Sequence, residues 1–506
     1  MFVGANAGDY SNIIKEKNIL PNAFSLTGNS LSMLATRLSH ALNLKGPNLA
    51  IDTSCSSSLV AIHLACQSIL SGESELAIAG GVFINCTPSF YVLASRAGML
   101  SKTGQCNTFD SDADGFVPGE GVGAVILKPI ESAIKERNHI YGIIKGSGIN
   151  QNGTTNGMTT PSASSQTDLQ LEVYEKFGIN PLDLSYIEAH GTGTLYGDAI
   201  EIKALSNAFK KYSNSKQFCA IGSVKTNIGH TGHASGLSGL IKILLALKHH
   251  QIPASLNYHK QNSNINFKNS PFYVNTRLNE WKSDFHKPRL AAINSFGFSG
   301  TNCHMVIQEA QTLLSPDEET HKPYYLILLS AKTDWALKQK IKDMGAWLES
   351  EGANTKIKDI AYTLQMGRSH FKVRCAFIVQ NTNELRQVIQ KIEQGNTSEG
   401  RCINRPENNL AQNIDPKFME YAKHIINELA ENKDLTVIEY NEKLKALANL
   451  YVLGYHFEAQ PLFKYERPCL ISMPSYPFEG KSYWIFEGST QLYTSEYQND
   501  IEEVII

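Results

Sequence analysis

The sequence predicts a layered α/β fold followed by a smaller α/β module. Two observations carry this. Short apolar runs recur at 48–53 (NLAIDT), 75–82 (ELAIAGGV), 123–129 (GAVILKP), 141–148 (YGIIKGSG) and 186–191 (YIEAHG). Continuous apolar runs of that length suit strands buried on both faces. Helically spaced stretches lie between them, at 56–71, 165–177, 198–210 and 233–249, and such alternation builds layers.

Residues 1–310 hold all these elements and are rich in Gly and small residues. The segment 311–322 (QTLLSPDEETHK) is polar, contains Pro and reads as a linker. Beyond it, PYYLILLSAK predicts a strand, 333–351 an amphipathic helix, FKVRCAFIVQ a strand and 382–394 a helix. Residues 403–416 read as a loop, and helical spacing returns at 417–431 and 437–454. The stretch 462–488 carries Pro and aromatics at irregular spacing, which suits a segment that wraps along another surface. No internal repeat or low-complexity tract is evident.

Composition excludes several function classes. The 506 residues suffice for two to four domains at roughly 100–200 residues each. Lys and Arg total 46 against 48 Asp and Glu, for a formal charge of −2, so no basic excess exists to neutralise a nucleic-acid backbone. Apolar residues are 42% and charged residues 19%, a core-forming balance. No apolar run reaches the ~18–20 residues of a membrane span, and MFVGANAGDY lacks the pattern of a secretory signal. The cysteines at 55, 66, 86, 106, 219, 303, 375, 402 and 469 form no CxxC pair, so neither a zinc site nor a redox dithiol is indicated, and a reducing cytoplasm fits.

Four motifs carry chemistry. In Asp52-Thr53-Ser54-Cys55-Ser56-Ser57-Ser58 a strand ends, Cys55 follows, and a helix runs on towards Gly72. The free N–H groups and dipole of a helix N-terminus favour a thiolate, so the Cys55 pKa is expected to fall. In Glu188-Ala189-His190-Gly191-Thr192-Gly193-Thr194 a strand runs into a loop that aims His190 at a cleft, with two threonine hydroxyls for an amide-bearing substrate arm. No GxxxxGK[ST] phosphate loop occurs. In Lys225-Thr226-Asn227-Ile228-Gly229-His230 a second histidine precedes a helix, and Lys225 disfavours its charged form. In Asn294–His304 (NSFGFSGTNCH) a Gly-rich turn between two strands leaves N–H groups for an oxyanion hole. Each has a plain structural alternative: an inert cysteine, satisfied histidines, a tight hairpin.

Together, DTSCSSSL, EAHGTGT, KTNIGH and SFGFSGTNCH, with FDSDADGFVPGEGVGAVILKP (109–129) and NGTTNGMTTPSASSQ (152–166), resemble the β-ketoacyl synthase family. The resemblance is to ketosynthase domains of modular polyketide synthases and covers about 1–310. It implies an α/β, thiolase-like layered α/β/α/β/α fold, usually homodimeric, with a small α/β linker domain after it. AYTLQMGRSHF (361–371) resembles the linker of synthases whose acyltransferase is a separate protein, and SYPFEGKSYW (475–484) the segment that closes that linker. The implied division is 1–310 ketosynthase, 311–322 linker, 323–486 post-ketosynthase domain and 487–506 tail. Neither an acyltransferase GHSxG elbow nor a carrier-protein DSL motif is present.

The resemblance implies a decarboxylative Claisen condensation in polyketide, or related fatty acid, biosynthesis. Cys55 would carry the acyl chain, His190 and His230 would hold the malonyl thioester, and Lys225 would support the histidines. Backbone N–H groups of Cys55 and Phe298 would hold the oxyanion. Thr192, Thr194 and Phe298 would contact the pantetheine arm, with Phe298 gating the pocket. No bound cofactor or metal is implied. The implied partners are an acyl carrier protein, a separate malonyl acyltransferase, other synthase modules and a second copy of the chain, in the cytoplasm, with no nucleic acid and no membrane.

Two departures from the family pattern stand out, at the start and at His233, and the C-terminus is also unusual. Met1 falls at a segment that lies inside the family's first half, so the first α/β half is expected to be incomplete, exposing apolar surface and strand edges. The apolar ending IEEVII reads as though cut from a longer polypeptide. His233 occupies a position where the family carries a small or uncharged residue. It either approaches His230, one helical turn away, or faces away from it. Non-elongating relatives lack the histidine of HGTGT. Its presence favours elongation over a transacylase or a non-catalytic docking module, and Cys303, within a ketosynthase-type turn, disfavours a thiolase.

Overall fold

The computed structural model describes residues 1–20, 22–283, 287–310, 322–394, 402–404, 416–432, 434–482 and 484. The linker residues 311–321, nearly all of the loop expected over 403–416, and the tail 487–506 lie outside them. The chain divides into two compact units, Met1–Ser132 with Ile140–Leu313, and Ala133–His139 with Leu314–Ile506.

The first unit is built on two sheets. One contains β1 (Phe2–Gly4), β2 (Leu49–Ile51), β3 (Ala77–Phe83) and β4 (Gly121–Leu127), in the order β2-β1-β3-β4. The next strands are β5 (Ile143–Gln151), β6 (Leu184–Glu188), β7 (Cys219–Gly222), β8 (Gln251–Ile252), β9 (Phe272–Val274), β10 (Asn279–Glu280), β11 (Leu290–Phe296) and β12 (Thr301–Gln308). The second sheet runs β5-β12-β11-β6-β7-β9, and β8 and β10 form a small antiparallel ribbon. The two halves repeat one pattern. In β2-β1-β3-β4 the successive pairings are parallel, parallel and antiparallel. In β7-β6-β11-β12 they are the same.

Five layers follow from where the apolar faces go. The helices Ser57–Leu70 and Ser235–His249 share one core with Phe2 and Ala79 of the first sheet and Ala291, Ile293 and Met305 of the second. They form the middle layer. Their close crossing requires Gly236, where an added Cβ would stand 2.7 Å from Leu59 Cβ. The helices Ala163–Lys176 and Leu195–Lys210 cover the other face of the second sheet through Leu169, Tyr174, Ile202 and Phe209. The helix Leu31–Ala41 covers the other face of the first, where Ala35 joins Val3.

One expectation fails here. β4 is not buried on both faces: its residues alternate, and Val122 and Ile126 are exposed; nor are β2, where Leu49 is exposed, and β5, where Lys145, Ile149 and Gln151 are exposed. An antiparallel strand with one covered face shows period two, as β4 does.

The second unit has its own core. Its sheet is the antiparallel set β13 (Tyr325–Ala331), β14 (Val373–Val379) and β15 (Cys402–Asn404). Helices over Asp334–Glu349, Thr382–Glu393, Pro416–Glu431 and Val437–Val452 fall where the spacing predicts them. A helix over Ile357–Met366 is additional. Residues 464–482 are irregular, and Ile471, Met473 and Tyr476 pack on this unit's core.

Candidate active site

Ligand sites in α/β sheets gather beyond the carboxyl ends of parallel strands. Cys55 follows β2, His190 follows β6 and His230 follows β7, with the β11–β12 turn beside them.

Cys55 sits in a single 3₁₀ turn, Ser54–Ser56, ahead of the helix from Ser57. Ser54 adopts φ +63°, a left-handed conformation that costs a non-glycine residue about 1 kcal/mol or more. Side-chain hydrogen bonds hold it. The Ser54 amide donates to Asp52 Oδ1 at 3.0 Å, the Thr53 amide to Ser57 Oγ at 2.9 Å, and Ser57 Oγ to the Ser54 carbonyl at 2.6 Å. Ser235 Oγ and Ser295 Oγ each donate to the Cys55 carbonyl at 2.9 Å. The serines flanking Cys55 thus fix the turn rather than merely leave room.

The thiol departs from expectation. Burial pushes its pKa up, and the Lys225 charge, the amides of Phe298 and Cys55, and the Ser54 hydroxyl pull it back only in part. Desolvation of the thiolate outweighs the short helix-start dipole.

His190 is placed by a carboxylate. Glu201 Oε1 accepts from the His190 amide and from Asn294 Nδ2, and Oε2 from the Gly191 amide, all at 2.9 Å. His304 Nδ1 lies 2.7 Å from Asn294 Oδ1 behind it. The Phe296 amide donates to His190 Nδ1 at 3.4 Å, so in the neutral ring the proton sits on Nε2. The His190 and His230 rings stand edge to face at 5.7 Å. His230 is buried, its amide donates to the Val117 carbonyl at 2.7 Å, and Phe116 meets its ring edge-on at 5.0 Å. Burial, and then Lys225, holds both histidines well below the usual imidazole range. They are neutral donors at neutral pH.

Lys225 is buried, and Glu188, Cys106, Glu201 and Cys55 favour its charge against desolvation. Thr192 Oγ1 and Thr194 Oγ1 lie 3.1 Å apart, both half-buried. In the β11–β12 turn an added Cβ on Gly297 would collide with the Thr53 carbonyl, so only glycine lets the turn close on the Cys55 loop. Phe298 is 56% exposed while its amide faces Cys55. His233 turns from His230 to other partners: its Nε2 lies 3.0 Å from Asp52 Oδ1, and its ring stacks on Phe83 at 5.6 Å. Cys303 is fully buried in β12 and its thiol is pushed up, which unfits it as a second nucleophile. Among the described residues no group of three or more His, Cys, Asp or Glu is placed to hold a metal ion, and no helix is long and apolar enough to cross a membrane.

Sequence reading missed Glu201 and Asp198. Asp198 accepts from the Phe109 amide at 2.8 Å and the Gly193 amide at 3.2 Å. Burial raises its pKa to about 7. The available signal was two acids, three apart, on a helix that follows a glycine loop. Glu201→Gln is expected to lower stability by roughly 1–3 kcal/mol in urea unfolding, because an amide NH₂ would face an N–H donor in either orientation.

Comparison with known proteins accords with this geometry. Residues 1–133 match the family described as beta-ketoacyl synthase, N-terminal domain, residues 141–259 the beta-ketoacyl synthase, C-terminal domain, and residues 325–389 the CurL-like, PKS C-terminal family. Polyketide synthase PksL of Bacillus subtilis is 42% identical over 488 residues, covering 96% of this chain and 10% of that protein. PksM of the same organism is 38% identical, covering 97% of this chain and 11% of the relative. The chain spans about a tenth of the length of these curated relatives. The solved ketosynthase from module 6 of the B. subtilis bacillaene synthase is 39% identical with a TM-score of 0.82, covering 95% of this chain and 81% of that one. Ketosynthase twelve of the bacillaene synthase of Bacillus amyloliquefaciens is 33% identical with a TM-score of 0.81, covering 96% and 79%. The chain belongs to the β-ketoacyl synthase family and is a ketosynthase of the polyketide synthase type.

Proposed function

We propose that this chain elongates a polyketide by decarboxylative Claisen condensation, with Cys55, His190 and His230 as catalytic residues. The observation that carries the reading is the meeting of two neutral, edge-to-face imidazoles with a half-buried cysteine whose thiol faces the amides of Phe298 and Cys55.

The Cys55 thiolate attacks a carrier-bound acyl thioester, and the carrier thiol leaves. A malonyl unit on a carrier protein then enters. The imidazole Nε2–H of His190, with His230, donates to its thioester carbonyl; the Cα–carboxylate bond breaks, CO₂ departs, and the electron pair forms an enolate held by these donors. The enolate carbon attacks the Cys55 thioester. The tetrahedral oxyanion sits on the amides of Cys55 and Phe298, and its collapse expels the Cys55 thiolate and leaves a β-ketoacyl carrier. Lys225 adds to burial in keeping the imidazoles neutral. Thr192 and Thr194 bind the amides of the pantetheine arm, and the exposed Phe298 gates its entry.

In this reading 1–310 is the catalytic domain and 323–486 the linker domain. The malonyl group comes from a separate acyltransferase, other synthase modules supply and receive the chain, and the setting is cytoplasmic. The free outer edge of β2, with Leu49 exposed, supports a homodimer built on that edge. The test supplies the chain with an acyl thioester and malonyl-carrier protein and weighs the carrier. A β-ketoacyl carrier is expected. Acyl loading without that product would identify a transacylase instead, and no loading would leave a docking module.

A further inference from the structure

The turn that presents Cys55 is held on one side by a single carboxylate. Asp52 Oδ1 accepts the amide of Ser54, the residue immediately before Cys55. The Asp52 side chain is 49% exposed, so by itself it is free to swing into water. His233 restrains it. The His233 side chain is only 12% exposed and presents Nε2 to the same Oδ1 at 3.0 Å. Its ring is fixed against Phe83, which packs so closely on this segment that a Cβ on Gly232 would meet the Phe83 ring at 2.6 Å. His233 Nδ1 has no partner among the described residues, so the neutral ring offers one donor, and that donor goes to Asp52.

We propose that His233 is a positioning residue for Cys55: through Asp52 it locks the left-handed Ser54 turn that aims the thiol. This rests on the reading of Cys55 as nucleophile. Burial holds His233 neutral against the pull of Asp52, so the link is a hydrogen bond rather than an ion pair. The charged and titratable groups that face it are Asp52, from the nucleophile turn, and His230, on its own segment. An amide donor at the same reach substitutes for it, and a methyl group does not.

The test is the pH profile of Cys55 alkylation by iodoacetamide, read by peptide mass spectrometry. It needs no acyl donor, so its outcome is separate from whether the wild-type chain loads acyl groups. In His233→Ala and Asp52→Ala the midpoint is expected to move up by roughly 0.5–1 unit, as the loosened Ser54 turn lets the thiol drift from the amides that face it. His233→Gln is expected to keep the wild-type midpoint. The double variant should shift no further than either single one, because both break one connection. An unmoved midpoint in His233→Ala, or His233→Gln behaving like His233→Ala, overturns the proposal. If His233→Ala fails to fold by circular dichroism, Asp52→Ala, altered at a half-exposed side chain, decides alone: an unmoved midpoint overturns it.

Discussion

Cys55→Ala is expected to abolish acyl loading and to lower condensation by on the order of 10⁴-fold or more, the scale on which removal of a covalent nucleophile acts. The reason is local. The methyl group leaves the surrounding hydrogen bonds in place, since Ser235 and Ser295 hold the backbone carbonyl of residue 55 and Ser57 holds that of Ser54. The melting temperature should therefore move by a few degrees at most. Intact mass after incubation with an acyl thioester checks the first statement, and a thermal melt the second. A stable variant that still gains an acyl group at another cysteine would move the nucleophile elsewhere. Because burial raises the Cys55 pKa, loading by the wild-type chain should climb about tenfold per pH unit through neutrality, as the thiolate fraction does. A loading rate flat between pH 6 and 8 would contradict the buried, protonated thiol.

His190→Ala separates the two halves of the reaction. Loading of Cys55 should continue, while loss of CO₂ and condensation should fall by roughly 10²–10³-fold, the scale for removing one donor to a developing oxyanion. The assay weighs both the loaded chain and the malonyl carrier over time. Equal loss of loading and condensation would mean that His190 serves the Cys55 turn and not the enolate. The wild-type pH profile is a second check. Both imidazoles have folded pKa values held below the ordinary 6.5, so they remain neutral as pH falls through that value, and condensation should show no acid limb centred there. The same shifts bear on stability. The unfolded chain takes up protons on these histidines below about pH 6.5 and the folded chain does not, so their contribution is full above that pH and is lost as pH falls. His304, held down to about 3, adds to the loss. Urea unfolding at pH 7.5 and 5.5 should show the folded state weaker at the lower pH.

Much of this was legible in the sequence because it is local chemistry. The run before Asp52 forms β2, the run before His190 forms β6, and the helices after Ser56 and His233 begin within two residues of their predicted starts. The helix Ile357–Met366 has its signal too, with apolar Ile357, Ile360, Ala361 and Leu364 at i, i+3, i+4 and i+7.

What could not be read depends on distance through space. The direction of the Cys55 pKa is a balance between desolvation and the Lys225 charge, and Lys225 is 170 residues away along the chain. Glu201 matters because its two oxygens meet three N–H donors drawn from two segments. His233 met Asp52 only because the halves of the fold bring the β2 and β7 ends together. The sequence by itself determined the residue types, their order, and the local turns and helix starts that present them, since these depend on side-chain chemistry and neighbouring backbone conformation. Only the tertiary structure decided how each group is protonated, which carboxylate holds which loop, and which face of β4 is open, because burial and charge act between residues the chain separates.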